Sequence, residues 1–263
     1  MLLLLLLHIV FPLPPGAHAG EIIGGQEARP HSRPYMAFVE IETGENQSGS
    51  CGGFLIREDV VVTAAHCNCN LGNISVLLGA HNVEIGEPGR QEILVHRRIP
   101  HPEFNDATLE NDLMLLQLKD KANLTKTVGT IPLSQKEVKK GALCSVAGWG
   151  QTSTNGQPSP TLQEVDIKVM GKDVCLSPLY LNFKPDKMLC VGDPQKKNAS
   201  FKGDSGGPLV CNGMAQGIVS FGKSDGSPPR VFTKVSAYVP WIKKTMRGLR
   251  HPGSHAERLG PLH

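Results

Sequence analysis

No stretch of this 263-residue chain beyond its first 20 residues is apolar for long enough to cross a bilayer. A span needs roughly 20 consecutive apolar residues, and the opening run "MLLLLLLHIVFPLPPGAHAG" is broken by Pro12, Pro14 and Pro15. That opening also lacks charge, and Glu21 is the first acid. A short apolar core followed by the small-x-small site Ala17-His18-Ala19 reads as a secretory signal over residues 1–19, although it has no leading Lys or Arg. No internal period recurs, which excludes solenoids. Charged residues make up only 19% against 40% hydrophobic, so a packed core is expected and bulk disorder is excluded. No cysteine follows Cys211, and no cysteine stands at Phe201.

What is present suits a secreted, turn-rich β protein. Glycine at 29 and proline at 20 supply turns such as "TGENQSG", "GEPGR" and "STNGQPSP". Between them lie runs that are β-branched, aromatic or alternating, at 54–66, 92–96, 112–118, 143–149, 162–169, 207–211, 215–221 and 230–235. Many short strands point to sandwiches or barrels. One helix is expected in "SAYVPWIKKTMRGL", with Ser236 as its cap and Val239, Ile242 and Met246 on one face. Residues 249–263 have no periodicity and read as a disordered tail, whose histidines are not read as a metal site.

Seven cysteines fit an oxidising compartment, and the odd number leaves one without an internal partner. Sequons occur at Asn46, Asn73, Asn123 and Asn198. A formal net charge of +3 favours polyanions such as sulfated proteoglycan. No nucleic-acid partner, metal or cofactor is expected.

Three local motifs carry chemistry. They are "TAAHC" with His66, "NDLMLLQL" with Asp112, and "GDSGGP" with Ser205. Singly, each has a bland reading: a core histidine, a turn-capping acid, a loop serine. Together they supply a nucleophile, a base and an orienting acid. A serine hydroxyl attacks only when a base takes its proton, and imidazole, with a pKa of about 6.5, does this near neutrality. Glycines let the backbone around Ser205 turn tightly, and the N–H groups of Gly203 and Ser205 can then point at a developing oxyanion.

The order His, Asp, Ser resembles the chymotrypsin family of serine proteases. The resemblance runs from Ile22 to about Gly248. It implies two packed six-stranded antiparallel β-barrels, at approximately 22–132 and 133–235, with a C-terminal helix at 236–247. "IIGG" at 22–25 resembles the new N-terminus of an activated enzyme. The freed Ile22 amine would then pair with Asp204, and Gly20-Glu21 would be an activation dipeptide. Disulfides are implied between Cys51 and Cys67, Cys144 and Cys211, and Cys175 and Cys190. Cys69 is left over: free, capped, or bonded to a second chain, with a monomer expected. The missing cysteine at Phe201, with "PHSRPYMAF", "LGAHN" and "FKGDSGGPLVC", resembles the subgroup of granzymes, mast-cell chymases and cathepsin G.

That resemblance places Ala199 at the floor of the primary pocket, where trypsin-like enzymes carry an aspartate. Ser220, Phe221 and Gly222 would pair with substrate backbone as an added strand. Arg230, in "SPPRVFT", falls on the pocket's back wall, as in the granzyme B branch. A guanidinium there wants a carboxylate, and an apolar side chain would leave the charge buried and unpaired. Cleavage after Asp is expected, with Glu second, by a granule-stored enzyme that promotes target-cell death. Lys202 and Lys223 are candidates to read further acids, or are plain solvated lysines. Arg230 could also fold back to solvent or to an internal acid. The competing readings are a chymase-like or cathepsin G-like enzyme that cleaves after Phe, Tyr, Leu or Met, and a non-catalytic glycan-binding or antimicrobial relative. Asn198 lies beside the pocket floor, so its sequon is expected to go unused.

Overall fold

The computed structural model describes residues 22–42, 48–68 and 72–249. The signal, the activation dipeptide, Asn46, Cys69 and residues 250–263 of the expected tail lie outside the described residues, whereas Leu249, its first residue, is buried against the first core.

Among the described residues, thirteen strands and two α-helices follow one another. The strands are β1 (Gln26–Glu27), β2 (Met36–Glu42), β3 (Ser48–Arg57), β4 (Val60–Thr63), β5 (Ile74–Leu78), β6 (Gln91–Pro100) and β7 (Met114–Leu118). They continue as β8 (Leu143–Gly148), β9 (Gln163–Lys168), β10 (Met188–Val191), β11 (Pro208–Cys211), β12 (Met214–Gly222) and β13 (Arg230–Lys234). Helix α1 (Lys172–Cys175) lies between β9 and β10, and α2 (Val235–Gly248) ends the described chain.

The first half closes a six-stranded barrel in the order β2-β3-β4-β7-β6-β5. Its sequence logic is visible strand by strand. In β2, Val39 and Ile41 point inward while Glu40 and Glu42 face water. In β4 and β7, every residue is buried, including Thr63 and Gln117. The second half forms a sheet in the order β1-β9-β8-β11-β12-β13-β10. A single bridge, Val169 to Val191, brings its β9 and β10 sides together into the second barrel. The fold therefore has the expected chymotrypsin-like plan: a closed six-stranded barrel beside a second sheet, to which β1 adds a seventh strand. Disulfides link Cys51 to Cys67, Cys144 to Cys211 and Cys175 to Cys190.

The chain ends exchange sides. β1, near the N-terminus, adds to β9 of the second barrel. Helix α2 follows the second barrel but buries Val235, Tyr238, Val239 and Ile242 in the core of the first. Residues from both halves are thus drawn to the seam between them, where the site is found.

Three local expectations need correction. The run 54–66 is not one strand: Glu58 and Asp59 form a turn, with Asp59 buried and ion-paired to Arg57, and the chain reverses into β4. His66 therefore sits in a short 3-10 turn, Ala65–Cys67, and not at the end of a strand. Ser236 does not cap α2. The cap position is Lys234, whose side chain reaches Glu137 and the Pro185 carbonyl instead.

Leu115 is fully buried in β7, between β4 and β6. Truncation leaves a cavity in a barrel that cannot collapse freely. Leu115→Ala is expected to lower unfolding free energy by about 2–5 kcal/mol, seen as a lower urea midpoint; an unchanged midpoint would contradict this packing.

Candidate active site

Asp112 lies two residues ahead of β7 and has no solvent exposure. Its Oδ2 is 2.7 Å from Nδ1 of His66, and its Oδ1 accepts the His66 backbone N–H at 2.9 Å. Ser220 Oγ from β12 also donates to Oδ2. Thr233 Oγ1 of β13 donates to the Asp112 carbonyl at 2.9 Å. The carboxylate is thus satisfied by donors from both barrels, as a buried anion must be. The Asp112 contact fixes the His66 ring with its Nδ1 side inward. Burial alone would lower the His66 pKa; the hydrogen bond and charge of Asp112, with a smaller part from Asp106, outweigh it and raise the pKa above the ordinary value.

Ser205 is half-buried in a turn stitched to both halves. Gly52 of β3 donates to the Ser205 carbonyl at 2.7 Å, and Gly206 donates to Val219 of β12 at 2.9 Å. Cys67 Sγ, next to His66, is 3.9 Å from the same Ser205 carbonyl. Gly206 needs to be glycine. Its φ is +83°, and a Cβ there would lie 2.2 Å from Thr63 Oγ1 and 2.5 Å from the Gly52 carbonyl. Among the described residues, the N–H groups of Gly203 and Ser205 donate to no carbonyl. They remain available for an anionic oxygen.

Asp204 is fully buried, and its oxygens accept the N–H groups of Gly150 at 3.0 Å and Phe201 at 2.8 Å. Burial pushes its pKa up to about 6 in spite of those bonds and of the Arg230 charge. The Ile22 side chain is buried in the second-barrel core. Its nitrogen is in the peptide bond to Glu21, so the expected pairing of a free Ile22 amine with Asp204 requires that bond to be cut.

Ala199 is fully buried, and its N–H reaches the Ile23 carbonyl at 3.0 Å. Arg230 opens β13 opposite Gly222 of β12. It is only 8% exposed, so the reading in which it folds back to solvent does not hold. Its guanidinium passes over Gly222, where a Cβ would lie 2.5 Å from the guanidinium carbon. Nη1 donates to the Lys223 carbonyl at 2.6 Å, and the Phe201 ring centroid lies 5.7 Å from Cζ. Nε is buried with no partner, and Arg230 makes no ion pair among the described residues. Burial lowers its pKa, with partial opposition from Tyr180, Asp204 and Asp225. Lys202 is exposed, 5.8 Å from the same Phe201 ring, while Lys223 is half-buried and contributes its carbonyl. Phe221 and Gly222 are half-buried at the end of β12, beside buried Ser220.

Sequence reasoning missed two supporting residues, Thr233 and Tyr180. Tyr180 Oη donates to the Pro229 carbonyl at 2.6 Å, just before Arg230. Neither carries a local signal, because each acts on a residue far away in sequence. Of the sequons described, Asn73 and Asn123 are exposed. Asn198 is half-buried, with Nδ2 donating to the Asp166 carbonyl at 3.2 Å.

The trypsin family model matches residues 22–242. Human granzyme B is 54% identical over 245 residues, covering 92% of this chain and 98% of that protein. Bovine duodenase-1 is 52% identical over 255 residues, covering 96% and 100%. Human cathepsin G is 50% identical over 248 residues, covering 94% and 95%. A solved structure described as "Structure of GrC" superposes with a TM-score of 0.82 at 46% identity, covering 86% of this chain and all of that one.

The His66–Asp112 contact has a direct spectroscopic consequence. NMR of Ser205→Ala protein should show His66 titrating above the free-imidazole value of about 6.5. Asp112→Asn in that background should bring it down. An unmoved midpoint would contradict the role given to the carboxylate.

Proposed function

For a chain that belongs to the trypsin family of serine proteases, we propose a granule-stored, secreted endopeptidase that cuts peptide bonds after aspartate. Serine endopeptidase activity is the property of the family. Granule storage is supported by the names of the relatives: granzyme B, chymase and cathepsin G. A role in target-cell death follows the granzyme B likeness alone.

In the proposed mechanism, Ser205 Oγ attacks the scissile carbonyl while His66 takes its proton. Asp112 holds the ring and stabilises the imidazolium. The N–H groups of Gly203 and Ser205 receive the oxyanion; one such donor is worth about 3–4 kcal/mol of barrier. His66 then gives its proton to the leaving amine, and water repeats the cycle on the acyl-enzyme. Ser220, Phe221 and Gly222 align the substrate backbone. A non-catalytic role is disfavoured because His66, Asp112 and Ser205 are all present.

The observation that carries the choice of substrate is Arg230: a buried guanidinium with an unpartnered Nε and no ion pair among the described residues. A charge so placed is stabilised by an incoming carboxylate. Ala199 adds no charge of its own at the floor. Lys202 and Lys223 would favour further acids in the substrate, and sulfated proteoglycan is the proposed storage partner of a mildly basic chain.

Activation is proposed to free the Ile22 amine, whose protonated form would pair with Asp204. A raised pKa in Asp204 is what an unpaired buried carboxylate shows. Protein that begins at Ile22 should hydrolyse substrate, and protein that keeps Glu21 should have little activity. Equal activity in the two forms would refute this control.

A panel of peptides that differ only before the scissile bond tests specificity. Turnover after Asp should dominate, with Glu second. Arg230→Gly should cut kcat/KM for the Asp peptide by about 30-fold or more, the effect of about 2 kcal/mol or more for a broken buried charge pair, and should admit Phe or Leu. A wild type that prefers Phe, Tyr, Leu or Met would favour the chymase-like reading instead. A mutant that keeps its Asp preference would assign the acid to another cation.

A further inference from the structure

The stretch just ahead of the catalytic carboxylate is unusual in its backbone. Leu109 and Asn111 both have positive φ, +56° and +58°, without being glycine. Such residues persist only where their surroundings hold them. Leu113 N–H closes onto the Asn111 carbonyl at 2.9 Å, so Asp112 sits at the apex of a tight turn. The direction of its side chain is therefore set by the conformation at Asn111.

Asn111 is held from two sides. Its Nδ2 donates to the Glu103 carbonyl at 2.7 Å, and its Oδ1 accepts from Tyr238 Oη at 3.0 Å. The amide orientation is not arbitrary: a backbone carbonyl only accepts, so the nitrogen must face Glu103 and the oxygen must face Tyr238. Both residues are buried, Asn111 at 5% and Tyr238 at 4% exposure. Burial raises the Tyr238 pKa, with added effect from Glu110, Asp186, Asp112 and Glu103, so the phenol remains a donor throughout the working range. Tyr238 belongs to α2, and its ring also packs edge-on to His101, whose backbone N–H bonds the Leu113 carbonyl at 3.0 Å. Lys187 of the second half pairs with Glu110 at 2.9 Å, and Thr233 holds Asp112 itself. Each of the residues 110, 111 and 112 is thus gripped by the part of the chain beyond residue 186.

We propose that the Tyr238–Asn111 hydrogen bond is a positioning clamp, by which the C-terminal helix fixes the turn that aims Asp112 at His66. Tyr238 touches no reacting atom. It acts through Asn111 on Asp112, whose carboxylate must meet His66 Nδ1, His66 N–H and Ser220 Oγ at once. A turn that relaxes by even a fraction of an ångström loses that three-way fit.

Tyr238→Phe removes only the hydroxyl. Asn111→Gly keeps the left-handed backbone permitted but removes both side-chain bonds. With the wild type's best peptide, each is expected to lower kcat about tenfold and leave KM within about twofold. The acid limb of kcat should move to lower pH, because Asp112 no longer raises the His66 pKa to the same degree. The double variant should be no worse than either single one. A residue that merely stabilised the fold would lower the melting temperature and leave kcat and the acid limb in place. Wild-type kcat and acid limb in Tyr238→Phe would overturn the clamp, as would losses that multiply in the double variant. Should Tyr238→Phe fail to fold, wild-type kcat in Asn111→Gly would overturn it alone. The proposal rests on the triad reading, so Ser205→Ala is assayed alongside: activity there would sink the triad and the clamp with it, whereas an inactive Ser205→Ala beside wild-type kcat in Tyr238→Phe would sink the clamp alone.

Discussion

A carboxylate with no access to water, Asp112, sits where the two barrels meet, and every other part of the site is placed relative to it. An ionised acid is tolerated there only because its oxygens meet the His66 ring, the His66 backbone and Ser220. Those donors come from opposite halves of the chain. The carboxylate therefore ties the barrels together and also fixes the imidazole. The nucleophile turn is anchored in the same way, through Gly52 on one side and Val219 on the other. Catalytic geometry in this fold is a property of the seam.

Arg230 presents the opposite case. It is a second buried charge, but its own protein gives it one carbonyl and an aromatic face and leaves Nε unpartnered. The ring of Phe201 supplies that face. Gly222 leaves room for the guanidinium to lie across β12. A buried cation left short of partners is poor for stability, and the shortage is consistent with a site completed by substrate.

Parts of this arrangement were legible in the sequence because they are local. "TAAHC", "NDLMLLQL" and "GDSGGP" each put a reactive side chain beside its own structural cue. The strands at 143–149, 162–169 and 215–221 were legible from alternation and β-branching, to within a residue or two of β8, β9 and β12. The turn inside 54–66 was hidden because apolar residues flank it on both sides; the Arg57–Asp59 pair sits at the reversal. β1, β2, β5 and β10 were not legible. β1, β5 and β10 are only a few residues long, and β2, though it alternates, runs into the "TGENQSG" turn cluster. Thr233, Tyr180 and Tyr238 gave no signal, since each meets a partner about fifty or more residues away. Long-range contacts of single polar atoms leave no periodicity to read.

The central claim is that Arg230 makes this serine protease read an acid. Its most direct test uses two peptidyl phosphonates that label the active serine and differ only in carrying Asp or Phe next to the phosphorus. The account predicts that enzyme beginning at Ile22 is inactivated by the Asp compound at least about 30 times faster, the equivalent of about 2 kcal/mol. Equal rates, or faster labelling by the Phe compound, would contradict it.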